Sequence, residues 1–352
     1  MKKLKYSELF CGPGGMALGA KLASDSHPKI KIEHLWATDY DKDACRTYAH
    51  NICKKSNDKS VICADVRELD FKKLEHPDIL SFGFPCNDFS LVGEQKGIDG
   101  KFGPLYSYCV KGLNQLNPLV FVAENVSGIQ SSNGGNSFKK ILSELENSGQ
   151  GYNLNVNHYY FENYGIPQSR HRFVIVGFRR DTNLIFKVPK ETHSVNNYKT
   201  CQNAIDYPPI SHDAYNHELT KNTKVVVERL SHIPEGKNIW DVQDNDKFPE
   251  HLKLNVKGAR LSQIYRKLDS KKPSYTVTGS GGGGTHIYHW NENRALTNRE
   301  RARLQTFPDN HEFIGSKESV RKQIGMAVPV EGSKIIFNAI LNTISGMKYP
   351  TM

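Results

Sequence analysis

The sequence contains no run of eighteen consecutive apolar residues, about the length that a membrane-spanning helix needs. The lysines among the first residues are followed by no long apolar stretch, so a secretory signal is not indicated. The seven cysteines include no C-x-x-C pair, which argues against a zinc or redox site of that type. We therefore expect a cytoplasmic protein with no membrane association and no metal site.

Acidic residues are outnumbered, with 37 Asp and Glu against 47 Lys and Arg, and the formal net charge is +10. A basic balance favours a polyanionic partner, although a basic protein without such a partner has the same composition. The 352 residues are enough for one large domain and a smaller one.

Short β-rich runs alternate with helical stretches through the first half of the chain. The predicted strands are 4–10, 31–39, 60–65, 78–84 and 118–125, and the predicted helices between and after them are 15–23, 41–52, 105–116 and 138–149. Alternation of this kind predicts an α/β fold with a doubly wound, mostly parallel sheet. Two further strands, at 153–161 and 170–178, could add an antiparallel edge.

The composition changes near residue 181, where Asn, His, Asp, Pro and Lys become frequent and clear periodicity fades. We predict a first domain of residues 1–180, a smaller irregular domain of residues 181–275, and a return to the first domain over residues 276–352. The glycine run at 279–284 is interpreted as a flexible connection. Helices are predicted at 296–307 and 331–344.

The first strand leads into the glycine-rich turn "FCGPGG", residues 10–15. Glycines at such a turn let backbone amides approach a ligand, and a helix amino end favours negative groups. The second and third strands end in Asp39 and Asp65, which could bind a ribose and an adenine, and Tyr40 could stack on the base. Each acid could also be an ordinary helix cap. Together they predict an adenosine site, without separating a dinucleotide from S-adenosylmethionine, although G-x-G-x-x-G is missing.

The stretch "GFPCNDFS", residues 83–90, places Cys86 directly after a buried strand. Cys86 could be a structural cysteine, or a nucleophile at the sheet edge where ligands of such folds bind. The next strand in the sheet would end at Glu124, so the thiol and the carboxyl could share one cleft. Arg170 and Arg172, in "QSRHR", alternate along an extended segment and should face one side.

Six sequence blocks occur in an order that resembles the DNA (cytosine-5) methyltransferases. The blocks are "FCGPGG", "GFPCNDFS", "ENV", "QSRHR", "RALTNRERARLQTFPD" and "GMAVPV". The resemblance covers residues 5–178 and 276–344, while the middle of the chain is typical of the variable target-recognition region of that family. It implies a bacterial or phage modification enzyme that acts as a monomer. A restriction endonuclease accompanies such an enzyme in some cells, but we expect no permanent complex between the two.

The resemblance implies a catalytic role for four residues. Cys86 would be the nucleophile that adds to carbon 6 of cytosine, and Glu124 would bond and protonate ring nitrogen 3. Arg172, with Arg170 nearby, would hold the base oxygen. The positive charge of "QSRHR" should favour the thiolate form of Cys86.

The resemblance also implies that the cofactor is S-adenosylmethionine. The residues expected to contact it are Phe10, Gly12, Pro13, Gly14, Gly15, Asp39, Tyr40, Asp65, Val66, Pro85, Leu105, Met326, Ala327 and Val328. Departures from the usual family residues occur at Asn87, Asp88, Met326 and Val330. Asn87 and Asp88 change the loop that is expected to close over the base.

The expected partner is duplex DNA, from which the target cytosine must be flipped out. Lys and Arg in the cleft between the two domains should contact phosphates, and the second domain should read bases. Two rival interpretations are a transfer RNA cytosine-5 methyltransferase and a catalytically silent DNA-binding protein of the same fold. The recognition sequence cannot be read from the chain.

Overall fold

A computed structural model describes residues 1–55, 58–84, 105–130, 135–256, 260–282 and 284–352 of the chain. The strands are β1 Lys2–Leu9, β2 Ile30–Asp39, β3 Val61–Cys63, β4 Ile79–Phe82, β5 Val120–Val126, β6 Tyr152–Tyr160, β7 Gln168–Ser169, β8 His171–Arg179 and β9 Ser274–Tyr275. The helices are α1 Gly15–Ser26, α2 Lys42–Tyr48, α3 Leu105–Leu116, α4 Asn136–Glu146, α5 Cys201–Asp206, α6 Lys224–Ser231, α7 Asn298–Leu304, α8 Lys317–Met326 and α9 Val330–Ser345.

Seven strands form the central sheet, in the order β3-β2-β1-β4-β5-β8-β6. The strands β3, β2, β1, β4 and β5 are parallel to one another. The strand β8 runs antiparallel to both β5 and β6. All four residues of β4 are buried, as expected for a central parallel strand covered on both faces. The predicted doubly wound α/β fold and its antiparallel edge are confirmed.

The strand order reverses between β1 and β4, because the chain continues from β1 to β2 on one side and returns through β4 on the other. In open α/β sheets a ligand binds outside the carboxyl ends of the strands at such a reversal. The residues that follow β1 and β4 are the glycine turn and Gly83. The fold therefore brings the glycine turn and Gly83, the first residue of the second motif, to the position where a ligand site is expected.

Large apolar side chains cover both faces of the sheet. On one face Phe121 stacks on Phe82, with ring centroids 5.6 Å apart, within a cluster that includes α3 and α4. On the other face Tyr6 meets Phe337 of α9 at 5.8 Å. Truncating a buried phenylalanine of this kind costs about 3–5 kcal/mol, so these contacts hold the strand ends that carry the site.

The chain divides into two compact units, of which the first comprises Met1–Phe161, His171–Glu191 and Val328–Met352. The second unit comprises Glu162–Arg170 and Thr192–Ala327. Residues 276–327 thus belong to the second unit, whereas the sequence placed the return to the first domain at residue 276. The functions assigned to the predicted domains remain predictions.

The second unit contains short helices stabilised by buried charged side chains. Arg299 of α7 is fully buried and donates hydrogen bonds to the carbonyls of Tyr215, Pro308 and His311. The α7 helix packs on α5 and α8, neither of which the sequence predicted. Because one arginine joins α7 to two other chain segments, near residues 215 and 308–311, this region holds its fold with little regular structure.

Within the described residues, one helical stretch, Lys317–Ser345, has the length and apolar composition of a membrane span. However, 72% of its most apolar window is buried inside the fold, which is typical of a core helix.

Candidate active site

The glycine turn after β1 is held against the end of β2. The amide of Cys11 donates to the Thr38 carbonyl at 3.0 Å, and the amide of Gly12 donates to Oδ2 of Asp39 at 2.9 Å. Gly12 and Gly14 adopt φ values of +51° and +89°, which glycine reaches without the cost that a side chain brings. This bond places the turn beside Asp39, while the role of both in cofactor binding stays a prediction.

Asp39 has both carboxylate oxygens engaged by backbone amides, since Oδ1 accepts from Asp41 at 2.9 Å while Oδ2 accepts from Gly12. Burial raises the pKa of this carboxyl above its ordinary value, and the two amide bonds oppose the shift. Each carboxylate oxygen can accept a second hydrogen bond. Tyr40, beside it, has 59% of its surface exposed, as stacking on a base requires.

Adenosine-containing cofactors fit this part of the structure. A Cβ placed on Gly12 would meet no atom within 4 Å, so the backbone faces open space beside the Asp39 carboxylate. A carboxylate at this strand end is suited to a ribose diol, and the open backbone of the turn allows a close approach.

Gly15, the first residue of α1, lies directly against Val328. A Cβ on Gly15 would be 2.4 Å from the Val328 carbonyl oxygen, so a larger residue requires the backbone to move. Two of the predicted cofactor-binding blocks therefore meet at this contact. Pro13, Gly14, Ala327 and Val328 are buried, whereas Met326 is 59% exposed.

Asp65 has partners of its own near the end of β3. Its carboxylate caps the short helix Val66–Glu68 and pairs with Arg67, and the arginine lowers the pKa of the carboxyl. The sequence instead assigned Asp65 to an adenine amino group, and that assignment stays a prediction. Val66 and Leu105 are buried, Phe10 is partly exposed with φ of +54°, and Pro85 lies outside the described residues.

Glu124, near the end of β5, forms an ion pair with Arg172 of β8. The distance from Arg172 Nε to Glu124 Oε1 is 3.0 Å, and the two side chains are 14% and 13% exposed. Arg172 also donates from Nη1 to the carbonyl of His171 at 2.7 Å. Register explains the pairing, because Glu124 lies opposite Val174 and Val126 lies opposite Arg172 in the antiparallel ladder. The resemblance assigned both residues to the target base, and that assignment stays a prediction.

The chain that leads towards Cys86 is anchored to the same strand. Asn125 donates from Nδ2 to the Phe84 carbonyl at 3.2 Å, and a Cβ on Gly83 would lie 3.5 Å from Oε2 of Glu124. Sequence reasoning missed this role of Asn125, although its place in "ENV" was visible. Cys86, Asn87 and Asp88 lie outside the described residues.

Arg170 contacts partners different from those of Arg172. It is 2% exposed, belongs to the second unit, and donates from Nη1 to the carbonyls of Val277 and Gly325 at 3.2 and 3.4 Å. The neighbouring Gln168 accepts from the Val277 amide at 2.8 Å. The expectation that both arginines face the base together stays a prediction. In the described structure Arg170 ties backbone segments of its own unit.

No group of three or more His, Cys, Asp or Glu side chains that could hold a metal ion occurs among the described residues. The chemically active groups that the described residues bring together here are the carboxylate of Glu124 and the guanidinium of Arg172.

Comparison with known proteins identifies the family. The family model for C-5 cytosine-specific DNA methylases matches residues 4–342. The Type II methyltransferase M.BbvI of Brevibacillus brevis is 56% identical over 99% of this chain and 94% of its own length. The Type II methyltransferase M.NgoFVII of Neisseria gonorrhoeae is 38% identical over 97% of this chain and 88% of its own.

Solved structures show the same fold. A protein encoded within an Escherichia coli prophage matches with a TM-score of 0.74 at 22% identity, covering 97% of this chain and 99% of that one. The chain belongs to the C-5 cytosine-specific DNA methylase family, and the protein is a DNA (cytosine-5-)-methyltransferase.

Proposed function

We propose that the protein methylates carbon 5 of a flipped-out cytosine within a specific duplex DNA sequence, using S-adenosylmethionine and a transient covalent bond to Cys86. The observation that supports this proposal most directly is the ion pair of Glu124 and Arg172. It lies at the end of β5, beside β4, from which the chain leads through Gly83 and Phe84 towards Cys86.

Carbon 5 of cytosine is too weak a nucleophile to accept a methyl group unaided. Addition of the Cys86 thiolate to carbon 6 places negative charge on the ring and converts it to an enamine, which is nucleophilic at carbon 5. Carbon 5 would then accept the methyl group as its bond to the sulfonium sulfur breaks. Loss of the carbon 5 proton and elimination of the thiolate would restore the aromatic ring and free the enzyme.

Glu124 has the chemistry to assist the attack. A carboxyl group that gives its proton to ring nitrogen 3 neutralises the charge that develops as the thiolate adds. Arg172, 3.0 Å from that carboxylate, fixes its orientation and offers further N–H groups to the base oxygen. The sequence assigns a supporting role to Arg170, and we retain it as part of the proposal.

S-adenosylmethionine supplies the methyl group from a positively charged sulfonium. Asp39 would hold the ribose hydroxyls, Tyr40 would stack on the adenine, and the turn Gly12–Gly15 would lie along the backbone of the ligand. The turn is held in place by the close contact of the Gly15 backbone with the Val328 carbonyl.

Flipping one base out of a duplex costs a few kcal/mol, and contacts to phosphates must supply that energy. The net charge of +10 is consistent with such contacts. We assign base reading to residues 181–275 and catalysis to the rest of the chain, in a monomer that acts in the bacterial cytoplasm. Affinity for duplex DNA should fall steeply as salt increases.

The direct test incubates the purified protein and its Cys86→Ser variant with tritiated S-adenosylmethionine and either unmethylated genomic DNA or transfer RNA. The proposal expects label in DNA with the wild type and none with the variant, while both bind the cofactor. Label in transfer RNA alone, or full activity without Cys86, would contradict it. Bisulfite sequencing of the product DNA then identifies the target sequence.

A further inference from the structure

A serine and a histidine form a hydrogen-bonded pair just beyond the end of β5. Ser127 begins the short helical turn Ser127–Gln130, three residues after Glu124. Its hydroxyl lies 2.7 Å from Nε2 of His158 and donates to the carbonyl of His171 at 3.1 Å. When the single hydroxyl hydrogen goes to the carbonyl, Nε2 of His158 is the donor to the serine oxygen.

The imidazole of His158 is held in a fixed orientation. Its ring stacks on Phe173 with centroids 4.6 Å apart and planes 18° apart, and the ring of Tyr160 lies 4.7 Å away. Burial, together with the nearby His171 and Arg172, lowers the pKa of His158 below its ordinary value. The ring is therefore neutral at neutral pH, and the stacking aims Nε2 at Ser127.

The carbonyl of His171 joins this pair to the candidate active site. It accepts from the Ser127 hydroxyl at 3.1 Å and from Nη1 of Arg172 at 2.7 Å. The other end of the guanidinium, Nε, lies 3.0 Å from Glu124. A continuous series of contacts thus runs from His158 through Ser127, the carbonyl and Arg172 to the carboxylate.

The two ends of this series lie on opposite faces of the sheet. Phe173, on which His158 stacks, packs against Phe138 of α4 at 5.2 Å. Glu124 instead lines a small cavity with Met16 and Phe337, on the face covered by α1 and α9. Successive residues of a strand point to opposite faces, and the backbone carbonyl of His171 is contacted from both of them.

We propose that Ser127 and His158 are positioning residues that fix Arg172, and through it Glu124, for the reaction. The inference rests on the proposed role of Glu124 in base activation. The His171 carbonyl holds Nη1, the Ser127 hydroxyl donates to the same oxygen, and Nε2 of His158 bonds that hydroxyl. Loss of either side chain lets the guanidinium rotate, and small displacements of catalytic groups reduce the rate steeply.

The experiment compares Ser127→Ala with Ser127→Thr, and His158→Ala with His158→Gln. Threonine keeps the hydroxyl, and the glutamine amide keeps a donor at the position of Nε2. We expect each alanine variant to lower kcat about tenfold, with KM for S-adenosylmethionine and DNA within about twofold of the wild type. The threonine and glutamine variants should recover most of the loss. The double alanine variant should lose no more than either single one, because both act through one carbonyl.

A matched control exists at the opposite edge of the sheet, where His34 Nε2 lies 2.9 Å from the Ser60 hydroxyl. Ser60→Ala removes a similar contact and should leave kcat unchanged. If Ser127→Ala and His158→Ala melt like the wild type and keep its kcat, the inference is wrong. Should His158→Ala fail to fold, the smaller Ser127→Ala change decides the question alone.

Glu124→Gln in the same assay separates this inference from the proposed function. An inactive Glu124→Gln with normal Ser127 and His158 variants would overturn only the positioning role. A fully active Glu124→Gln would overturn the proposed role of the carboxyl itself. Equal losses in Ser127→Ala and Ser127→Thr would also contradict the inference, because the hydroxyl would then not be the group that matters.

Discussion

Replacing Gly15 by alanine should both destabilise the protein and weaken cofactor binding. The new Cβ would lie 2.4 Å from the Val328 carbonyl oxygen, which is about 1 Å closer than an ordinary contact. Overpacking of this kind costs about 1–3 kcal/mol. Alanine favours a helix over glycine by up to about 1 kcal/mol, and less in the first turn. The net loss of stability should therefore be about 1–2 kcal/mol.

The same substitution at Gly19, one turn further along α1, provides the matched control. Its Cβ would be 2.5 Å from Cβ of Ser333, so the stability loss should be similar. Urea unfolding gives the stability of each variant, and calorimetry gives the affinity for S-adenosylmethionine. Only Gly15→Ala should lower that affinity, by roughly tenfold or about 1.4 kcal/mol. A Gly15→Ala protein with wild-type stability and affinity would refute this steric argument.

Two further predictions concern buried carboxyl groups. Asp39→Asn replaces one carboxylate oxygen with an NH2 group, which cannot accept the hydrogen bond that Gly12 or Asp41 now donates to that oxygen. Calorimetry should therefore show at least tenfold weaker binding of S-adenosylmethionine, a loss of about 1–3 kcal/mol. Unchanged binding would exclude Asp39 from the cofactor site. Glu8 accepts a hydrogen bond from Tyr6 at 3.0 Å, and burial, with Asp39 nearby, raises its pKa well above the usual 4.5. The stability that protonated Glu8 contributes is complete below pH 4.5, where the carboxyl is protonated in both the folded and the unfolded state. It is lost as pH rises towards the folded-state pKa, because Glu8 then ionises in the unfolded state only. Glu8→Gln should therefore gain stability relative to the wild type as pH increases in urea titrations; a difference independent of pH would contradict this assignment.

Much of the first unit could be predicted from the sequence, because its strands and helices follow from local patterns. The helix α3 has the predicted limits, and β2 and β5 begin or end within two residues of prediction. In contrast, α5, α6 and α8 were missed, since these short helices are stabilised by distant partners. The carbonyls that bind Arg299 come from segments up to 84 residues away. Such long-range contacts leave no local periodicity to read.

The sequence named both members of the ion pair, Glu124 and Arg172, but it did not predict that they contact each other. The sequence did not show which other groups would bind the side chains of the predicted site residues. Asp65 caps a turn and pairs with Arg67, two residues away, and Arg170 binds carbonyls of the second unit. Alternation along an extended segment gives the direction of a side chain but does not identify its partner.

The central claim is that Cys86 bonds to carbon 6 of the target cytosine. Its most direct test places 5-fluorocytosine at the methylated position of a duplex, adds protein and S-adenosylmethionine, and measures the intact mass under denaturing conditions. Fluorine at carbon 5 blocks the release step, so the account predicts a stable protein–DNA adduct that maps to the peptide containing Cys86. Methylation of the normal duplex with no adduct on the fluorinated one would contradict the account.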